Sequence, residues 1–212
     1  MPDLHSFVAT LRIGGAVMYP LLALALVAVV VILEKGFVFW VRTRVPASLM
    51  RTLEAYGMAS EEFDREVVSL GAGHYFGQFL RVIVENRKRP SWWVESRATE
   101  EAAAVDKSLG RWLWVLETIV TAAPLLGLLG TISGMIRAFK LFGAEGLVDP
   151  RGVTGGVAEA LIATAVGLFI ALIALFAFNY FSHRQAQVMD ELELVGTRLV
   201  DHIRLEEHER TS

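Results

Sequence analysis

Pro124-Leu-Leu-Gly-Leu-Leu-Gly-Thr-Ile-Ser-Gly134 is the stretch that decides how this 212-residue chain is read. It sits inside an uncharged run, Thr118 to Ile136, and places Thr131 among three glycines. A second uncharged run, Ala160 to Ser182, carries Thr164 in Ala158-Glu-Ala-Leu-Ile-Ala-Thr-Ala-Val-Gly167. A helix needs roughly 20 mostly apolar residues to cross a bilayer, and both runs reach that length. In hydrocarbon a hydroxyl has no water to bond, so it must meet a helix carbonyl, another subunit or a wet pore. Two mid-span threonines therefore point to part of an ion-conducting helix assembly and away from a soluble enzyme.

A third span precedes these two. Ile13 to Leu33 is free of charge and is closed by Glu34-Lys35. It is too long for a signal-peptide core and no small-x-small cleavage site follows it, so it reads as retained. Pro20 near its start costs little, because the N–H it lacks would have no helical partner there. The composition agrees with a membrane class that has a polar part: 54% hydrophobic residues against 20% charged. A formal charge of −3 excludes nucleic-acid binding on electrostatic grounds. With no cysteine, disulfides, thiolate metal sites and cysteine nucleophiles are excluded too.

The expected fold is all-α: a polytopic membrane protein with three transmembrane helices extended into a cytoplasmic helical bundle. The segments read as 1–12, a short periplasmic N-terminus; 13–33, first transmembrane helix; 34–112, cytoplasmic helical segment; 113–136, second transmembrane helix; 137–156, periplasmic connector; 157–182, third transmembrane helix; and 183–212, cytoplasmic helical tail. Orientation follows the Lys/Arg balance near span ends. One side has eight (Lys35, Arg42, Arg44, Arg97, Lys107, Arg111, Arg184, Arg198) and the other four (Arg12, Arg137, Lys140, Arg151). That balance puts the N-terminus outside and both large polar segments in the cytoplasm.

Within the polar segments, Ser60-Glu-Glu-Phe-Asp64 has the capping side chain and acidic first turn of a helix start. Phe76, Phe79, Leu80, Ile83 and Val84 recur at helical spacing, and Arg87-Lys-Arg-Pro90 ends that helix. From Ser91 only Gly110 interrupts the pattern, so one long helix is expected to run on into the second span. In the tail, Val188, Leu192, Val195, Leu199 and Ile203 form one apolar stripe.

At 100° per residue, Glu117, Thr121 (about +40°), Pro124 (about −20°) and Thr131 (about −40°) share a narrow face of the second span. Pro124 leaves the Val120 carbonyl without its helical partner. Gly127, Gly130 and Gly134 fall on the neighbouring face, where a second helix can approach closely. In the third span Ala160, Thr164, Gly167, Ala171 and Ala174 form another small-residue stripe, with Asn179 at its inner end. Glu159 is about 140° from Thr164 around the helix, near the outer end. An ionisable group inside a span is costly and marks a functional candidate. Threonines in membrane helices also bond back to the i−4 carbonyl with no further role. No Asp, Glu, His, Lys or Arg lies mid-span. A proton crossing here would need its carboxylate from a partner helix.

Ala123-Pro-Leu-Leu-Gly-Leu-Leu-Gly-Thr-Ile-Ser-Gly-Met-Ile-Arg-Ala-Phe139 and Val157-Ala-Glu-Ala-Leu-Ile-Ala-Thr-Ala-Val-Gly-Leu168 resemble the paired signatures of the ExbB/TolQ/MotA proton-channel family, the ExbB-type branch above all. The resemblance implies an inner-membrane subunit; no nucleophile, base and metal-ligand set converges in the sequence, so no enzyme activity, cofactor or metal is expected. It implies a homo-oligomer, a pentamer, around the single-span helices of ExbD- or TolR-like partners, with a TonB-like protein beyond. The family's partner aspartate would supply the missing acid; its pore threonines match Thr131 and Thr164, and its glutamate matches Glu159. Biopolymer transport is the implied role, with TolQ-like or MotA-like stator roles, or a passive scaffold, as alternatives. One departure is Ile173, where family members commonly carry a proline, so a straighter third helix is expected. The outer N-terminus is also shorter than in some ExbB proteins.

Overall fold

A computed structural model describes residues 15–43, 61–71, 73–140 and 150–211. Among these residues the secondary structure is helical, with no strand: α1 (Met18–Val41), α2 (Glu61–Ser69), α3 (Tyr75–Asn86), α4 (Ser91–Gly110), α5 (Leu113–Lys140) and α6 (Pro150–Thr211). Among the described residues, three helical stretches are long and apolar enough to cross a membrane, within Met18–Val41, Ser91–Lys140 and Val153–Glu209. The chain is an all-α, polytopic membrane protein.

The helices overrun the charge boundaries. α1 continues past Glu34-Lys35 to Val41, because backbone hydrogen bonding does not stop where hydropathy does. α5 runs on to Lys140 and α6 starts at Pro150, where a first-turn proline gives up an N–H that had no helical acceptor. Third span and tail form one uninterrupted 62-residue helix, with Ile173 inside it. Ser60, the expected cap of α2, lies outside the described residues.

The single long helix expected from Ser91 into the second span is corrected. α4 ends at Gly110, Arg111 is extended (φ −56, ψ 133), and Trp112 takes φ 70 before α5 begins. A non-glycine residue in the left-handed region cannot continue a right-handed helix, and Gly110 adds little helix propensity before it.

The chain divides into two compact units, 1–33 with 112–180, and 34–111 with 181–212. In the first, α5 buries Leu116, Ile119, Ala123, Gly127, Gly130, Gly134 and Ala138, a repeat of three and four residues. α6 answers with Ala160, Ala163, Gly167, Ile170, Ala171 and Ala174. The seam is tight: a Cβ on Gly167 would sit 2.5 Å from the Ala123 carbonyl oxygen, and one on Gly134 2.8 Å from that of Gly156. Large side chains turn away from it, among them Leu125, Leu128, Phe169, Leu172 and Phe176.

The second unit is built differently. Phe63, Phe76, Phe79, Leu80 and Ile83 of α2 and α3 are buried, as are Val94, Val105 and Leu109 of α4. Val188, Leu192, Val195 and Leu199 of the tail stripe are buried with them. Phe39 stacks on Phe181 at 5.6 Å between ring centres. Lys35 is only 1% exposed; its Nζ donates to the Leu109 carbonyl at 2.8 Å and lies 3.8 Å from Glu34. That carbonyl belongs to the last turn of α4, which has no intrahelical donor for it.

Candidate functional site

Among the described residues, the threonine hydroxyls of α5 all donate to carbonyls within the helix. Thr131 Oγ1 donates to the Leu128 carbonyl at 2.7 Å, three residues back. Thr118 donates to Trp114 at 2.8 Å and Thr121 to Thr118 at 2.9 Å. Thr164 behaves otherwise. Its Oγ1 crosses the seam to the Gly127 carbonyl of α5 at 2.9 Å. The close approach of Gly127 permits this, since a Cβ there would lie 3.0 Å from the Thr164 Cα. Small residues thus bring the two backbones together and one hydroxyl ties them.

A hydroxyl has one proton and two lone pairs. Thr131 and Thr164 have spent their protons on carbonyls, so each offers only acceptor capacity to a third group. Both are half-buried within the chain. Glu117 and Thr121 stand exposed nearer the Leu113 end of α5, with Pro124 half-buried between them and Thr131. Among the described residues Glu117 has no ion-pair partner, and Asn179 is exposed on α6. Gly127, Gly130, Gly134 and Gly167 all lie in the α5–α6 seam.

Glu159 is held differently again. Its carboxylate forms an ion pair with Arg137 of α5, leaving Glu159 19% and Arg137 47% exposed. Gly15, at φ +69, closes in on both: a Cβ there would lie 2.8 Å from the Glu159 Cδ and 2.9 Å from an Arg137 guanidinium nitrogen. Reading the sequence missed this partnership, counting Arg137 only in the charge balance. The available signal was symmetry of position, since Arg137 ends one uncharged run and Glu159 immediately precedes the next. Among the described residues no group of three or more His, Cys, Asp or Glu could hold a metal ion.

Three apolar helices of membrane-spanning length, two joined by a glycine-lined seam, define a multi-pass membrane protein. The profile of the MotA/TolQ/ExbB proton channel family matches residues 72–194, more than half of the chain. The chain belongs to that family. It is 34% identical over 194 residues to a putative biopolymer transport protein ExbB-like 1 from Synechocystis, covering 88% of this chain and 74% of that one. A second Synechocystis relative, putative biopolymer transport protein ExbB-like 3, is 32% identical over 89% of this chain and 94% of its own length. Biopolymer transport protein ExbB from Xanthomonas campestris is 42% identical over a shorter match, 41% of this chain and 34% of that protein.

Proposed function

We propose that this chain is the ExbB-type subunit of a proton-motive-force-driven motor that energises TonB-dependent outer-membrane import. It acts in the bacterial inner membrane, N-terminus in the periplasm and C-terminus in the cytoplasm. A homo-oligomer, read as a pentamer, surrounds an ExbD-like single-span helix that supplies the acidic group. No enzymatic step and no cofactor enters this mechanism.

One observation carries the reading: Thr131 and Thr164 present only lone pairs, and the middle of their spans carries no acid. A protonated carboxyl can donate to such an acceptor, whereas a carboxylate cannot. The threonines would therefore hold a partner's acid in its neutral form and release it once ionised. Each proton that crosses yields about 2.3 kcal/mol per 100 mV, enough over several protons to move a partner helix. The relatives' names favour the ExbB branch over TolQ-like or MotA-like stator roles.

A passive scaffold has an observation on its side, since both hydroxyls satisfy carbonyls within the chain. Proton flux into liposomes, measured with and without the single-span partner, separates the two readings. Flux that needs the partner's aspartate supports the motor. Thr164→Val keeps the shape but removes the acceptor, and flux should fall about tenfold or more, the scale of one buried hydrogen bond. Unchanged flux in an assembled Thr164→Val complex defeats the motor reading.

A further inference from the structure

We infer that Arg137 is a positioning residue for Glu159, and that the two act as one neutral unit at the outer mouth of the proposed proton path, with Gly15 as its wall. The inference rests on the proton-path reading above.

Glu159 sits nine residues beyond the first residue of α6, about 13 Å along the axis at 1.5 Å per residue. That is too deep for stabilisation by the positive end of the helix, an effect confined to the first turn. A carboxylate at that depth and 19% exposure needs a partner. Arg137 comes from the last turn of α5, where the helix dipole favours a cation. Its planar guanidinium can hold a carboxylate in a fixed orientation in a way a point charge cannot.

Gly15 accounts for the remaining side. Its φ of +69 suits glycine, and any side chain there would collide with both members of the pair. Thus three segments meet at one ion pair: the residue leading into α1, the end of α5 and the early turns of α6. Glu159 can be approached from the Arg137 side, which is the more exposed. A lone anion there would attract cations and repel an incoming carboxylate; a neutral pair does neither until it is opened. Arg137 therefore fixes both the orientation and the effective charge that Glu159 shows to anything entering the mouth.

The test uses the full complex with its single-span partner in liposomes, read as proton flux, with assembly followed by native mass spectrometry. Arg137→Gln and Glu159→Gln should each lower flux about tenfold, and the double variant should lose no more than either alone, the mark of coupled residues. Arg137→Lys, which restores the charge but not the planar fork, should recover only part of the flux lost in Arg137→Gln. The swap, Arg137→Glu with Glu159→Arg, should recover more flux than either single reversal. Wild-type flux in Arg137→Gln, or losses that multiply in the double variant, would overturn the inference. Should Arg137→Gln fail to assemble, the swap decides: assembly with conduction supports the pairing, and its failure counts against it. If Thr164→Val loses flux while Arg137→Gln does not, this inference alone falls. If wild-type complexes conduct nothing, the proton-path reading falls first.

Discussion

The two units of this chain reach close packing by opposite means. In the unit of residues 1–33 and 112–180, the close contact between α5 and α6 is made by glycine and alanine, while many large side chains, Leu125, Leu128, Phe169 and Phe176 among them, face outward. In the unit of residues 34–111 and 181–212, phenylalanine, leucine and valine fill the core, and Lys35 apart most charged residues face outward. The solvent explains the inversion. Lipid is as apolar as leucine, so burying leucine gains little there and helices associate through close backbone approach. In water, removing large apolar side chains from solvent is the dominant gain. The same kinds of side chain are thus sorted by opposite rules within one chain, and α6 obeys each rule in a different part of its length.

The comparison breaks most visibly at Phe76 of α3, which is fully buried. Phe76→Ala should cost about 3–5 kcal/mol through lost transfer energy and the cavity left behind. Removing a large side chain from the membrane unit, as in Phe176→Ala, should leave stability almost unchanged, since Phe176 is 67% exposed. Chemical unfolding in detergent, monitored by near-ultraviolet circular dichroism, measures both. Equal losses at the two positions would remove the distinction between the units.

A second contrast lies within α6. Gly167 is pressed against the Ala123 carbonyl, whereas a Cβ on Gly155 would meet nothing within 4 Å. Gly167→Ala should destabilise by about 1–3 kcal/mol through overpacking. Gly155→Ala should stabilise by up to about 1 kcal/mol, because alanine loses less freedom than glycine on entering a helix. The sign difference, read from unfolding midpoints in the same detergent, isolates close approach from helix propensity.

Much of this was legible beforehand. Three uncharged runs and the spacing of Gly127, Gly130 and Gly134 declared the spans and a face for close packing, because hydropathy and helical periodicity are local properties. The tail stripe from Val188 to Leu199 was legible for the same reason. The break at Trp112 was not: isolated glycines such as Gly110 are tolerated in helices, and nothing local announces a tryptophan at φ 70. Nor was the target of Thr164. A threonine in a helix has a carbonyl within reach of its own chain, as Thr131 shows, and only the distance between helices tells which oxygen wins. Arg137 and Glu159 depend likewise on how far α5 and α6 extend toward each other beyond the apolar runs.

A last contrast concerns charges in the second unit, where burial again decides the magnitude. Lys35 and Arg204 both tie neighbouring helices through a cation. Lys35 Nζ is sealed against the α4 terminus, and Lys35→Met would leave the Leu109 carbonyl buried without its donor, a loss of about 1–3 kcal/mol. Arg204 reaches Glu95 and Asp201 at 3.1 Å each, but all three side chains are more than half exposed. Water already solvates those charges, so Arg204→Ala should cost less than about 1 kcal/mol and that cost should shrink further in high salt. A salt-independent loss at Arg204 as large as that at Lys35 would mean that the tail is anchored to α4 by its charges. A small, salt-sensitive loss would leave the anchoring to Leu192, Val195 and Leu199, the apolar residues on the buried side of the same helix.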